Sequence, residues 1–195
     1  AQTGGDEWEP KNYDGKFEGP MRVRTALAKS KNMVSIRILR SIGPGYAQDY
    51  VSRFGFDPKQ TPAYLTLALG AAQTNPMQMA GAYAVFANGG YRVKPYFIKK
   101  ITDTKGQTVF EETPVVAGKD AEQAIDPRNA FIMTTLLRDV VRAGTATKAM
   151  ALGRGDLAGK TGTTNDSYDA WFAGFNQSLV GVAWVGFDQP KSLGE

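Results

Sequence analysis

Apolar residues recur at three- and four-residue spacing over much of the first three quarters of the chain, which is typical of amphipathic helices. Glycine and proline interrupt this pattern and predict helices over 20–29, 34–43 and 44–55. Residues 1–20 contain glycine, proline and acidic side chains without any period, so we expect an irregular surface segment there. The first part of the chain is therefore predicted to be mainly helical.

The two clearest helix starts are Asn75-Pro76 and Asp126-Pro127. Each pair supplies a side-chain acceptor for the helix cap and a proline for the first turn. The helices are expected to end at Gly89-Gly90 and near Gly144. Each carries an apolar stripe that we expect to face the core: Met77, Ala80, Gly81, Ala84 and Val85 in the first, and Ile132, Met133, Leu136, Leu137, Val140 and Val141 in the second.

The remaining patterned segments are typical of strands. Residues 96–102 and 107–112 flank a four-residue loop and predict a β-hairpin. The last quarter predicts three strands, over 157–163, 170–176 and 179–187. These strands carry bulky residues on both faces, so we expect them in the middle of a sheet that is covered on each side. Helices followed by antiparallel strands indicate the α+β class.

Size and charge place the chain among ordinary folded domains. It has 195 residues, of which 42% are hydrophobic and 22% are charged, enough for one domain with a buried core. The net charge is only +4 and is scattered, so we do not expect a nucleic-acid partner. The longest apolar run, 179–187, has the length of a strand and is well short of the roughly 20 residues of a membrane helix. The first ten residues do not have the pattern of a signal peptide.

The absence of two residue types restricts the chemistry further. The chain contains no histidine and no cysteine. This excludes Ser-His-Asp and Cys-His catalysis, imidazole metal sites, disulfides and thiolate metal sites within the chain. Serine, threonine, lysine and carboxylates remain for acid–base or nucleophilic work, and neither a metal nor another cofactor is implied.

The Lys160-Thr161-Gly162-Thr163 run is the most informative candidate for chemistry. In a strand, Lys160 and Gly162 point to one side and Thr161 and Thr163 to the other. The glycine leaves room for a substrate to lie against the backbone and pair as an added strand. The lysine supplies a positive charge and the threonines supply hydroxyl donors for a carboxylate. The run therefore predicts a site for an extended ligand with an anionic end.

The Ser30-Lys31-Asn32 run gains significance from its combination with Lys160. Alone, it is equally typical of the last turn of a helix. Together, the two runs resemble the second and third motifs, Ser-x-Asn and Lys-Thr-Gly, of penicillin-binding transpeptidases and serine β-lactamases. The resemblance is closest to the class A bifunctional penicillin-binding proteins of the 1a type and covers essentially the whole chain. Supporting strings are WEPKNYD at 8–14, ALAKSKN at 26–32, LALG at 67–70, NGG at 88–90 and DAWFAG at 169–174.

The resemblance implies a role for each of these residues in peptidoglycan cross-linking. In this family a serine attacks the D-Ala-D-Ala amide of a stem peptide, and an amine from a second strand resolves the acyl-enzyme. Ser30 would pass a proton to the departing D-alanine, helped by the charge of Lys160, and Asn32 would hold the amide of the acyl portion. Thr161 and Thr163 would bind the terminal carboxylate, and the Thr163 N–H would form half of the oxyanion hole. β-Lactams would use the same contacts.

One element of the family pattern is missing from this chain. No serine is followed three residues later by lysine, so the Ser-x-x-Lys nucleophile motif is absent. We therefore interpret residues 1–195 as a partial transpeptidase domain that begins after the nucleophile segment and is incomplete at both ends. The missing N-terminal part of the same protein would be a partner, and it would carry the membrane anchor and a glycosyltransferase domain. The resemblance places the protein at the extracytoplasmic face of the bacterial cytoplasmic membrane.

Two alternatives stay open from the sequence. A serine β-lactamase would need a carboxylate-and-water deacylation site, and none can be placed along this chain. A non-catalytic module that senses β-lactams or acts as a scaffold would keep the motifs without turnover. In a catalytic parent protein we expect Lys160→Ala to reduce acylation sharply. Lys31→Ala is expected to have little effect, because Lys31 has no role in the motif.

We predict that residues 1–195 alone form no covalent penicillin adduct, because the nucleophile motif is absent. The measurement is incubation of the purified chain with a fluorescent penicillin followed by a denaturing gel. A labelled band at the mass of the chain would contradict the prediction.

Overall fold

The computed structural model of the chain describes residues 2–3, 6–164 and 167–194. The described residues include five α-helices and two 3-10 helices of five residues or more. The 3-10 helices, Leu65–Leu69 and Thr147–Leu152, were not predicted from the sequence. The α-helices are α1 Val23–Ala28, α2 Asn32–Ile42, α3 Pro44–Ser52, α4 Pro76–Ala87 and α5 Pro127–Ala143. Among the described residues, no helix combines the length and the apolarity needed to cross a membrane.

The strands pair antiparallel in four small sheets. The strands are β1 Gln2–Thr3, β2 Asp6–Glu7, β3 Tyr91–Arg92, β4 Lys100–Thr102, β5 Thr108–Glu111, β6 Glu122–Gln123, β7 Ala158–Thr163, β8 Asp169–Phe175 and β9 Val180–Gly186. Among the described residues, β1 pairs with β2, β3 with β6 and β4 with β5, and the fourth sheet has the order β7-β8-β9.

The local signals that predicted the two long helices act as expected. The Asn75 side chain accepts a hydrogen bond from the Gln78 N–H at 2.8 Å, and Asp126 accepts one from the Arg128 N–H at 2.8 Å. Each caps an N–H group that has no partner inside its helix. The predicted α+β class, the hairpin β4–β5 and the three final strands are also present. The first hairpin strand is shorter than predicted and covers only Lys100–Thr102 of residues 96–102.

The core lies between the long helices and one face of the three-stranded sheet. α5 packs against β7, and α4 packs against β8 and β9. Phe175 of β8 contacts the rings of Tyr83 and Phe86, which both lie on α4. This packing fixes the sheet relative to the helices, and the buried residues that form the cluster are Leu137, Val140, Val141, Ala146, Ala158 and Phe175.

The expectation that the final strands are covered on both faces is wrong. Within the described residues, β7 and β9 are the outer strands of their sheet. Alternate residues of β9 are exposed, and Val185 is 59% exposed. The face of the sheet away from α4 and α5 carries an open apolar groove of about 330 Å³ that includes Phe172 and Leu179. Bulky residues on both sides of a strand report apolar character, but they do not show what packs against it.

Three other predictions require correction. The residues 1–20 are not wholly irregular, because β1 and β2 pair there; residues 1, 4 and 5 lie outside the described part. The helix predicted over 20–29 is shorter and covers only Val23–Ala28. Met77 and Ile132 were expected in the core but are 40% and 54% exposed. Both lie in the first two turns of a helix, whereas most of the buried residues of α4 and α5 lie further along.

We predict that Gly144→Ala destabilises the domain by about 1–3 kcal/mol, the usual effect of overpacking. Gly144 follows α5 and lies against the Ala28 carbonyl group; a Cβ there would also come within 2.8 Å of the Val140 Cα. The measurement is thermal unfolding of the longer protein that contains this domain. Gly155→Ala is the matched control, because a Cβ at Gly155 meets nothing within 4 Å. Equal melting temperatures for the two variants would contradict the prediction.

Candidate active site

Ser30 and Lys160 meet although they lie 130 residues apart in the sequence. Ser30 lies in the turn between α1 and α2, and Lys160 is the third residue of β7. The Lys160 Nζ donates hydrogen bonds to the Ser30 Oγ at 2.8 Å and to the Thr161 carbonyl at 3.0 Å. The helical part and the sheet therefore contribute one side chain each to a single polar contact.

The turn that carries Ser30 has the hydrogen bonds of a Schellman motif. The Lys31 N–H donates to the Ala26 carbonyl at 2.9 Å and the Ser30 N–H donates to the Leu27 carbonyl at 3.1 Å. Ser30 occupies the left-handed position of this motif, with φ of 54°. Glycine is the usual residue there, because a side chain in the left-handed region costs roughly 1–2 kcal/mol. The backbone of this turn is therefore strained, and the residue at the strained position carries a hydroxyl group.

Asn32 begins α2, two residues after Ser30. Its side-chain N–H donates to the Lys11 carbonyl at 3.0 Å. In the described part of the chain it is not bonded to Ser30 or Lys160. The amide retains a second N–H and its carbonyl oxygen for other partners.

The residues after Lys160 divide between the two faces of β7. Pairing with β8 gives the alternation that the sequence predicts. Gly162 and Thr163 are exposed, whereas the Thr161 hydroxyl forms a 2.5 Å hydrogen bond with that of Thr145, just after α5. The Thr145 N–H donates to the Ala28 carbonyl at 3.1 Å. Thr145 thus links β7 to the end of α1.

Thr145 was missed by the sequence analysis. The only local signal near it is the helix end at Gly144, which does not indicate a partner in a strand 16 residues later. Its contacts depend on how α5 packs against β7, and a pattern along the chain does not contain that information.

Alternate backbone groups of β7 point to its outer edge, where no further strand pairs with it among the described residues. The Thr164 N–H donates to the Asp169 carbonyl at 3.1 Å, so Thr164 faces β8. Because an antiparallel ladder alternates, the N–H and carbonyl groups of Thr163 and Thr161 point to the open side. The bond from Lys160 to the Thr161 carbonyl is consistent with this orientation.

A cleft of about 1150 Å³ lies beside this part of β7. Its walls include residues 160–164, residues 69–76 before α4, and the side chains of Tyr83 and Trp171. Burial raises the pKa of Tyr83 to about 12, so its hydroxyl remains protonated at neutral pH. The cleft therefore combines aromatic walls with hydroxyl and ammonium donors.

Burial also changes the acidity of the ammonium group at this site. It lowers the pKa of Lys160 from 10.5 to about 8, because a partly desolvated charge is less stable than one in water. At pH 7 the side chain is mainly protonated, which agrees with its two donated hydrogen bonds. It loses its charge near pH 8 rather than above pH 10.

Residues 1–191 match the penicillin-binding protein transpeptidase domain. The chain belongs to this family. Penicillin-binding protein 1A of Neisseria lactamica is 58% identical over 97% of the chain, and that of Pseudomonas aeruginosa is 43% identical over 96%. The chain covers 24% and 28% of these two relatives, about a quarter of their length. The resemblance inferred from the motifs is confirmed.

Solved structures of penicillin-binding proteins agree with the fold. Penicillin-binding protein 1A of Haemophilus influenzae superposes with a TM-score of 0.91 at 36% identity, covering all of this chain and 34% of that one. PonA1 of Mycobacterium tuberculosis, in complex with penicillin V, gives a TM-score of 0.76 at 26% identity, covering 93% of this chain and 52% of that one. The α+β fold of the transpeptidase family is thus established for this chain.

We predict that Ser30→Gly raises the stability of the domain by about 1 kcal/mol, because glycine relieves the left-handed strain. The measurement is thermal unfolding of the protein that contains residues 1–195. Ser30→Ala is the control, because it removes the hydroxyl without relieving the strain. A lower melting temperature for Ser30→Gly than for Ser30→Ala would contradict the prediction.

Proposed function

We propose that this chain contributes the second and third motifs of a peptidoglycan D,D-transpeptidase, and that its nucleophilic serine comes from outside residues 1–195. Family membership supports the reaction class. The observation that carries the assignment of residues is the 2.8 Å hydrogen bond between the Lys160 ammonium and the Ser30 hydroxyl. The proposal extends to the whole protein, of which this chain spans only a part.

Ser30 is the proton donor to the leaving group in this proposal. When the nucleophile attacks the D-Ala-D-Ala amide, the nitrogen of the departing D-alanine must gain a proton as its C–N bond breaks. Since Lys160 donates to the Ser30 oxygen, the hydroxyl proton of Ser30 is available for that nitrogen. The proton that the nucleophile gives up on attack replaces it, so the Ser30 hydroxyl is restored and no net proton is gained or lost. The nearby ammonium charge makes the hydroxyl more acidic and stabilises the oxygen as the proton leaves.

The open edge of β7 is the substrate-binding strand. A stem peptide that pairs with the outward N–H and carbonyl groups of Thr163 and with the outward N–H of Thr161 would extend the sheet by one strand. The Thr161 carbonyl already accepts from Lys160. The Thr163 N–H would lie at the developing oxyanion as half of an oxyanion hole. Gly162 exposes no side chain that would keep the peptide away from this edge.

The peptide terminus and the acyl amide have separate partners. Thr163 is exposed, and its hydroxyl would donate a hydrogen bond to the terminal carboxylate. The Thr161 hydroxyl would donate to the same carboxylate while it accepts a hydrogen bond from the Thr145 hydroxyl. Asn32 would hold the acyl amide through the donor and acceptor that its bond to Lys11 leaves unused. β-Lactams would use the same contacts because they resemble the D-Ala-D-Ala end.

The cellular setting follows from the substrate. Peptidoglycan is assembled outside the cytoplasmic membrane, so the site would face the periplasm or its equivalent. We expect the remainder of the same protein to supply the nucleophile, a membrane anchor and a glycosyltransferase domain, since the relatives named above are about four times as long as this chain.

We expect acylation of the longer protein by penicillin to decline as the pH rises through about 8. The charged form of Lys160 assists Ser30, and burial places its pKa at about 8. The proportion of charged Lys160, and with it the rate, should therefore be high below that pH and fall above it. The measurement is the second-order acylation rate constant between pH 6 and pH 10.

Lys160→Arg provides the control for this profile, because a guanidinium remains charged throughout the range. The Lys160→Arg variant is expected to react more slowly at every pH. The comparison therefore uses the shape of the pH profile of the rate constant and not its absolute value. The decline near pH 8 should be absent from Lys160→Arg. A decline at the same pH in both proteins would show that another group titrates, and a full rate in Lys160→Ala would overturn the assignment of the site.

A further inference from the structure

Residues 11–16, which we call the N-terminal turn, contact the three residues that follow Ser30. The turn is closed by its own hydrogen bonds: the Gly15 N–H donates to the Asn12 carbonyl at 2.9 Å, and the Asn12 side chain donates to the Lys16 carbonyl at 2.6 Å. The Lys16 N–H donates to the Asp14 side chain at 3.1 Å. A short segment with three internal bonds is stiff enough to act as a support for its neighbour.

Lys31 is the first of three consecutive residues that contact this turn. Its ammonium donates to the Asp14 carboxylate at 2.7 Å and lies 3.5 Å from Glu18. Its side chain is only 6% exposed, although it lies between two motif residues. The hydrogen bond raises the pKa of Lys31 and lowers the pKa of Asp14, so both stay charged at neutral pH. A lysine this well buried is rare unless it is paired.

The next two residues contact the turn through its backbone and its amide. Asn32 donates to the Lys11 carbonyl at 3.0 Å. The Met33 N–H donates to the Asn12 side-chain oxygen at 3.1 Å. The N-cap residue of α2, Lys31, forms no side-chain hydrogen bond to the first turn of the helix. Asn12 caps the helix instead, although it lies 21 residues before Met33 in the sequence. Asn12 is itself buried, at 8% exposed.

These contacts bear on Ser30 because its conformation is strained. A residue held at φ of 54° persists only when its surroundings fix the backbone on both sides. The helix α1 fixes the side before Ser30 through the Schellman hydrogen bonds. The N-terminal turn fixes the side after it, at Lys31, Asn32 and Met33.

We propose that Lys31 is a positioning residue. Its ion pair with Asp14 holds the Ser30 hydroxyl within hydrogen-bond distance of the Lys160 ammonium. The inference deepens the proposed function and rests on it, because it takes Ser30 as the proton donor. This proposal differs from the expectation that Lys31→Ala has little effect. That expectation rested on the position of Lys31 in the motif and took no account of its burial.

The test is the penicillin acylation rate constant of Lys31→Met and of Asp14→Asn in the longer protein. Rates are expressed per active molecule, by titration with saturating label at a temperature well below unfolding. We expect both variants to lose about tenfold, since small displacements of a catalytic group are costly. A merely structural role would lower the melting temperature and leave this rate unchanged.

Lys29→Met is the matched control. Lys29 precedes Ser30, carries the same charge, and is 50% exposed, with only a 3.6 Å contact to Glu18. Its rate should stay within about twofold of the parent, as expected for an exposed ion pair. If Lys31→Met does not fold, Asp14→Asn decides the question, because Asp14 is 45% exposed and its amide keeps the shape of the carboxyl group.

Two outcomes separate the failure of this inference from the failure of the proposed function. A parent-like rate in Asp14→Asn and Lys31→Met, alongside a large loss in Lys160→Ala, would overturn the positioning role and leave the function standing. A parent-like rate in Lys160→Ala would overturn the function and the positioning role together.

Discussion

The hydrogen bond between the Lys160 ammonium and the Ser30 hydroxyl is the constraint on which the rest of this structure depends. The two groups come from opposite parts of the fold, one from a turn between helices and one from an outer strand. α5 packs against both α1 and β7. The residues that follow it, Gly144 and Thr145, contact the Ala28 carbonyl and the Thr161 hydroxyl. The end of one long helix therefore sets the spacing of the two motifs.

The core explains why this spacing is stable. Val140 and Val141 of α5 are almost completely buried, and they pack with Ala158 at the start of β7. The aromatic side chains of α4 pack against Phe175 in the neighbouring strand. Apolar burial thus fixes two helices on one face of the sheet, and the polar contacts lie at the margin of that packing.

Local rules accounted for much of the fold. The caps at Asn75 and Asp126, the hairpin and the three final strands depend on residues close together in sequence, and the motif strings led to the right family. The contacts of Asn12, Asp14 and Thr145 could not be predicted in this way, because each joins segments that approach only after packing. The left-handed conformation of Ser30 was also hidden, since glycine is the usual signal for it. The exposure of Met77 and Ile132 depends on where each helix meets the sheet, which periodicity does not report.

The conformation of Ser30 has a consequence for the choice of amino acid at this position. Threonine carries the same reactive group, and by hydroxyl chemistry alone it would serve equally well. Its branched β-carbon makes the left-handed region far less accessible, so it would shift the turn or lose the contact with Lys160. Backbone geometry, rather than the acidity of the alcohol, therefore favours serine over threonine at this position.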